Sequence, residues 1–359
     1  MRLVLLCAVA CWLGAGCGPC ASATTPHRID VHVELHPYAY DHMLRQMEEA
    51  GIARAVNLAG GPPGEILAML VELGELSQLR LLTVTNVDWR DVDDPDFGGR
   101  AARNLERAVA LGARGLMITK ALGLGVATRD GRLLAVNDPR LDPLWAKAAE
   151  LDVPVWLHTA DPAPYFAAID EANPRREELE RQPSLGYFDE RYPRREDLLM
   201  ERDLVIARHP RTTFICTGLA SSPGDLASVD ALLDLFPNVY VDSAAPLVDL
   251  QRQPYETVRA FFIKHHNRVL FGSGLKMGER QTQLGSPLEV AREGGAVARY
   301  LDIHRRYFES AEQPLPNPTP VLGAEQLQGL ALPAGVLRAI YHENAERLLK
   351  LSRHATRPR

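Results

Sequence analysis

Two rhythms of apolar residues interleave along this chain. Short runs rich in Val, Ile, Leu and aromatic residues recur at 28–35, 54–58, 81–88, 115–120, 153–159, 212–219, 238–243 and 268–273. Longer stretches with apolar residues every three or four positions lie between them, at 40–50, 64–78, 99–111, 143–150, 196–208, 224–235 and 255–265, with a last one at 334–351. Short β-branched runs mark strands, and the longer period marks amphipathic helices. Strand–helix alternation along most of a chain predicts an α/β fold with a parallel sheet and crossover helices. Eight such units predict a single (β/α)8 TIM-type barrel in preference to an open doubly wound sheet. Two polar, proline-bearing stretches, 161–195 and 310–333, are expected to be loops laid over the barrel.

The N-terminus follows a different pattern. Arg2, the apolar run Leu3–Leu13 and the small residues after it have the length of a signal peptide, too short for a bilayer span. Export is therefore expected, with a periplasmic, extracellular or lipid-anchored product. Ala21-Ser22-Ala23 offers one processing site, making 1–23 a signal peptide, 24–352 the barrel and 353–359 a polar tail. Leu13-Gly14-Ala15-Gly16-Cys17 offers another, an imperfect lipobox whose leucine stands one place early. Cleavage at the first site removes every cysteine except Cys216, so no intramolecular disulfide is expected and stability must come from burial. No transmembrane segment is expected in the mature chain. A net charge of −6 provides no basic footprint for nucleic acid. The pattern leaves the oligomeric state open.

In a barrel of this kind, chemistry collects at the C-terminal ends of the strands. Period-two alternation places Asp30, His32 and Glu34 on one inward face of the first strand, Leu116, Ile118 and Lys120 on the fourth, and Trp156 and His158 on the fifth. Asp88 and Trp89 at the end of the third strand, Asp161 just past His158, and Asp242 on the seventh are further candidates for a small-molecule pocket. His36, His42, His265, His266, His304 and His354 stand in polar or helical surroundings and are expected at the surface, while Cys216 is expected to be structural. Gly123-Leu124-Gly125 lacks the third glycine of a dinucleotide fingerprint, and neither a G-x-S-x-G nor a P-loop is present.

The segments IDVHVEL (29–35), TKALGLG (119–125), NDPRLDPLW (137–145), PVWLHTADP (154–162), ARHPRTTFI (207–215), NVYVD (238–242), RQP (252–254), RVLFGS (268–273) and YHENAERLL (341–349) occur in an order that resembles the amidohydrolase-related family, which includes aminocarboxymuconate semialdehyde decarboxylase. The resemblance implies a barrel that holds zinc or another divalent metal. It implies an H-x-H pair on the first strand, histidines on the fifth and sixth, an aspartate on the eighth and, in some members, a lysine on the fourth. Here His32, Lys120 and His158 match, but the second histidine is Glu34, the sixth-strand histidine is Gly218, and the aspartate is Gly274. Pro246 stands where relatives carry an arginine after the seventh strand.

Glycine and proline offer no side-chain donor, so these replacements delete function at their positions. The leading expectation is a divergent, catalytically impaired barrel with a degraded metal site and a retained ligand pocket, with Lys120 satisfying Glu34 where relatives use a metal. The rival is an active mononuclear metal-dependent hydrolase, or less readily a decarboxylase, using His32, Glu34 and His158 as ligands with Lys120 polarising the substrate. A third reading is a structural or interaction protein whose loops close the mouth and leave no cavity.

Overall fold

The computed structural model describes residues 27–351. The expected signal peptide, Cys17 and the tail at 353–359 lie outside the described residues. Strands and helices alternate in the predicted order. β1 (Arg28–Leu35) leads to α1 (Tyr40–Ala50), and β2 (Ile52–Asn57) to α2 (Glu65–Leu76). The third strand comes in two pieces, β3 (Leu81–Thr83) and β4 (Thr85–Asn86), followed by α3 (Phe97–Leu111). β5 (Leu116–Ile118) leads to α4 (Asp142–Glu150), and β6 (Val155–Leu157) to α5 (Arg195–Arg208). β7 (Phe214–Cys216) leads to α6 (Leu226–Leu235), and β8 (Val239–Asp242) to α7 (Tyr255–Lys264). β9 (Val269–Leu270) is followed by a hairpin, β10 (Leu275–Met277) with β11 (Thr282–Leu284), and then by α8 (Ala296–Glu309).

The sequence pattern assigned neither the hairpin nor α8. Three-residue strands are too short to show a period. The buried stripe of α8 runs through Tyr300, His304 and Tyr307, which look polar in one dimension. Among the described residues no helix is long and apolar enough to cross a membrane.

Neighbouring strands pair in parallel from β1 to β3 and from β4 to β9. The third strand bends at Val84, whose N–H still donates to Asn57 O (3.1 Å), while the next N–H, of Thr85, donates to Gly115 O (3.0 Å). At the other seam Val31 N–H donates to Phe271 O (2.8 Å) and Gly274 N–H to His32 O (3.0 Å), so the eighth strand meets the first. The sheet closes into the (β/α)8 barrel.

One cluster draws on all eight strands of the barrel: Ile29, Val31, Val56, Leu82, Val84, Met117, Trp156, Ile215 and Leu270, with Tyr240 packed against it. This is the lumen. Trp156 spans it, its indole N–H donating to Val31 O (3.1 Å), which satisfies the one polar atom of a fully buried ring. The lumen corrects two of the expected faces. On β5 it is Met117 that points inward, and Leu116 and Ile118 pack against the helices. On β1 the register with β2 slips between Asp30 and Val33, so Val31 faces the lumen while Val33 and Leu35 pack with Met43 and Met47 of α1. Simple alternation cannot follow a strand across such a slip.

The helices pack outside. α1 and α3 end at Gly51 and Gly112, which take left-handed φ values of 67° and 115°. A helical run at 334–348, with a π-turn at Ala339–Glu343, closes the lower end. Ala345 and Leu349 join the lumen cluster, and Ile340 O accepts the N–H of Phe271 (3.0 Å). Replacing Trp156 by Ala should lower the unfolding free energy by about 3–5 kcal/mol, measured by urea denaturation, because the ring fills the centre of the lumen.

Candidate functional site

Above the lumen the strand ends open into a cavity of about 230 Å³. His32, Glu34, Lys120, His158 and Asp161 line it, as do Gly218, Pro246 and Gly274. The loops at 161–195 and 310–333 do lie over the mouth, contributing Tyr165, Glu178, Leu185, Pro318 and Thr319 to its walls, but they do not fill it.

His32 stands where β1 leaves the lumen. Its Nδ1 lies 2.8 Å from Oδ2 of the fully buried Asp242 at the end of β8. The other Asp242 oxygen accepts the N–H groups of Gly218 (2.7 Å) and Ala244 (3.1 Å). Asp242 is thus no lining residue; it fixes the His32 ring from behind. Burial alone would lower the His32 pKa, but the charge and hydrogen bond of Asp242, with Glu34 and Asp30 nearby, outweigh it and raise it. Close approach of the eighth strand depends on Gly272, where a Cβ would fall 2.9 Å from the His32 Cβ. Asp30 is also fully buried and stays out of the cavity. Its Oδ1 accepts the N–H groups of His32 (3.1 Å) and Ser273 (3.0 Å), and burial pushes its pKa up to about 6.

Glu34 does not meet Lys120. It sits opposite Lys276 in the β1–β10 register, and the two side chains pair at 2.9 Å. Burial would raise the Glu34 pKa, yet Lys276, followed by His32 and His158, holds it below its ordinary value. The hairpin that carries Lys276 was invisible in the sequence, and so was this partner. Lys120 reaches the mouth because the chain turns into a short helical segment after Ile118, not by strand alternation. Its ammonium pairs with Asp161 and lies 5.7 Å from the centre of the Tyr187 ring. His158 Nε2 is 3.4 Å from the other Asp161 oxygen. Burial alone would raise the Asp161 pKa; His158 and Lys120 together hold it well below the usual carboxylate range.

Asp88 and Trp89 do not line the cavity. The third strand ends at Asn86, after which Asp88 binds the Arg90 guanidinium (2.8 and 3.0 Å) and Trp89 stacks on Phe97 with ring centroids 6.0 Å apart. Cys216 is buried on β7 and its thiol is pushed up to about 11 by burial, unsuited to nucleophilic work.

A catalytic zinc takes three convergent protein donors near 2.0–2.3 Å. Among the described residues no three His, Cys, Asp or Glu donors at the mouth lie within 4.8 Å of one another. His32 is committed to Asp242, Glu34 is neutralised by Lys276, and positions 218 and 274 have no side chain. As they stand, the mouth residues are paired with one another and do not converge on one point. Three such donors, Asp230, Asp234 and His265, do gather at the lower rim. There Lys264 already bonds both carboxylates (2.7 and 2.8 Å).

After β7 the backbone turns left-handed over four residues, Gly218, Leu219, Ala220 and Ser221, with φ of 57°, 53°, 55° and 58°. For residues with a Cβ this costs of order 1–2 kcal/mol each. Two arginines of α5 hold the turn: Arg202 donates to Ala220 O (3.1 Å), and Arg195 to Ser221 O (2.8 Å) and Ser222 Oγ (2.7 Å).

Sequence reasoning missed Lys276, Tyr165, Glu178, Tyr300 and His304. Glu178 is fully buried, its oxygens taken by the hydroxyls of Tyr165 (2.6 Å) and Ser286 (2.5 Å). His304, like His265, was expected at the surface, but both are buried: α8 turns His304 toward the core, and His265, just past the end of α7, packs on Phe261 with its Nε2 2.6 Å from Asp230 Oδ1. His304 Nδ1 lies 2.8 Å from Tyr300 O, and burial pushes its pKa down to about 4. The unfolded chain then takes up this proton near pH 6.5, before the folded chain does. Stability should fall by up to about 3 kcal/mol as the pH drops from about 6.5 to about 4. Urea midpoints across that range check this, and a His304→Gln variant should show a flatter profile.

The sequence profile described as Amidohydrolase matches residues 32–351. No curated protein matches the sequence. The structure resembles 2,6-dihydroxybenzoate decarboxylase from Rhizobium, at 16% identity over 91% of this chain and 99% of that one, with a TM-score of 0.52. It also resembles a dihydroxybenzoic acid decarboxylase from Polaromonas sp. JS666 with bound manganese and 2-nitroresorcinol, at 15% identity over 92% and 98%, TM-score 0.53. A third likeness is 4-oxalomesaconate hydratase from Rhodopseudomonas palustris, at 12% identity over 90% and 95%, TM-score 0.53. At these identities the structural likenesses establish the fold alone. The match over residues 32–351 shows the family: the chain belongs to the amidohydrolases.

Proposed function

We propose that this chain is a divergent amidohydrolase that binds a small molecule at the strand mouths without a metal and has lost most of the family's catalytic power. The observation that carries the proposal is the Glu34–Lys276 pair at 2.9 Å, which puts an ammonium against the carboxylate that a divalent ion would need. The commitment of His32 to Asp242 and of His158 to Asp161 supports it, as do the glycines at 218 and 274. A general acid or base contributes typically 10²–10⁴-fold to a hydrolytic rate, and the positions where the family resemblance expects those groups carry no side chain. The cavity favours ligand binding over a purely structural role.

Metal analysis of the purified mature chain tests this. After dialysis against EDTA, the chain is incubated separately with zinc and manganese at neutral pH and desalted, with far-UV circular dichroism confirming the fold. Neither metal should be retained. Retention of about one ion per chain, lost on changing His32 to Ala, would overturn the proposal in favour of a mononuclear hydrolase or decarboxylase built on His32, Glu34 and His158, with Lys120 polarising the substrate.

A further inference from the structure

His304 is 2% exposed, yet it lines the cavity from α8. Its Nδ1 faces Tyr300 O, which can only accept, so Nδ1 carries the proton and Nε2 is left with a lone pair. Nε2 has no hydrogen-bond partner among the described residues. The ring cannot easily turn away. It packs on the Tyr300 ring with centroids 4.4 Å apart, and the Tyr300 hydroxyl is itself tied to Ser273 O (2.7 Å). Nε2 is not among the fully enclosed side-chain atoms that lack a partner, so on this nearly buried ring it is the cavity that reaches it, and a ligand's donor can take the place of water there.

The surroundings narrow what could pair with it. Glu34 is matched by Lys276, Lys120 by Asp161 and His32 by Asp242, and both Glu178 oxygens are taken. Little attraction remains for a charged ligand. Pro162, Ala244, Pro287 and Pro318 supply apolar wall, and about 230 Å³ exceeds the roughly 150 Å³ that suffices for benzene in an apolar cavity.

We propose that His304 is a specificity-determining residue whose Nε2 accepts a hydrogen bond from a hydroxyl or N–H group on a neutral, ring-sized ligand. The inference deepens the metal-free reading of the same cavity and rests on it. Burial keeps the imidazole neutral, so the acceptor persists at neutral pH.

The test uses the mature chain with ¹⁵N-labelled histidine, kept in EDTA and titrated with cyclohexanol and with methoxycyclohexane, which has the ring but no donor. Cyclohexanol should shift the His304 Nε2 resonance and bind at least about tenfold more tightly than the ether, one decade being the scale of a single hydrogen bond. His304→Phe should bind both equally. His304→Gln, whose amide can donate to Tyr300 O and turn its oxygen to the cavity, should keep the preference, so the test survives if the Phe variant does not fold. Equal affinities in the native chain, no binding of either probe, or a preference retained in His304→Phe would overturn the proposal. Repeating the titration with zinc separates the two readings: zinc uptake with the alcohol preference intact removes the metal-free reading and leaves the role of His304 standing.

Discussion

A charge at the mouth of a closed barrel must be matched, because the lumen below it is apolar and an unpaired buried charge is costly. A metal ion is one way to match several donors at once; protein counter-charges are another. Here Asp242 answers His32, Lys276 answers Glu34, and Asp161 answers both Lys120 and His158. The two glycines at 218 and 274 extend this pattern. Without donors at those places, the remaining groups settle into pairs. Apart from His158 with Asp161, which both follow β6, the pairs draw their members from different strands or loops, so the pairing also ties the rim together.

The lower half of the barrel makes this possible. An apolar residue from each strand around Trp156 holds the strand ends at fixed separations, and the closure at Val31–Phe271 sets the eighth strand against the first. Gly272 allows that contact at the height of His32. The loops then complete the cavity with side chains from beyond the strands. Glu178 links the first loop to Ser286 beyond the hairpin, and Arg175 links it to Asp249 and to Leu322 O in the second loop (2.8 Å). A cavity framed by such buried links is pre-formed, which is the usual condition for a ligand site.

Much of this was legible in one dimension. The eight apolar runs and the seven helices between them appear where the periodicity placed them, because burial on both faces of a parallel strand and on one face of a helix leaves a direct imprint on sequence. His32, Glu34, Lys120 and His158 were recognisable as mouth residues because they break apolar runs at strand ends. Asp88 and Trp89 looked equivalent and are not, since the chain turns outward after Asn86. The inward face of β5 was misassigned because all three of its residues are apolar, so the sequence holds no contrast between lumen and helix side. His304 was missed because one histidine on a helix looks the same whether it faces water or a cavity.

The amino-acid sequence by itself determined the strand–helix alternation, the closed-barrel class and the glycines at 218 and 274, which bring no side-chain donor, since each of these is a property of residue type at a position. Tertiary structure alone decided which charges meet. Lys276 reaches Glu34 through a hairpin register, Lys120 turns to Asp161 instead, and His304 faces the cavity from a helix on the far side of the eighth strand. Local pattern reports how buried a residue is, whereas the identity of its partner depends on distances that exist only once the chain has closed.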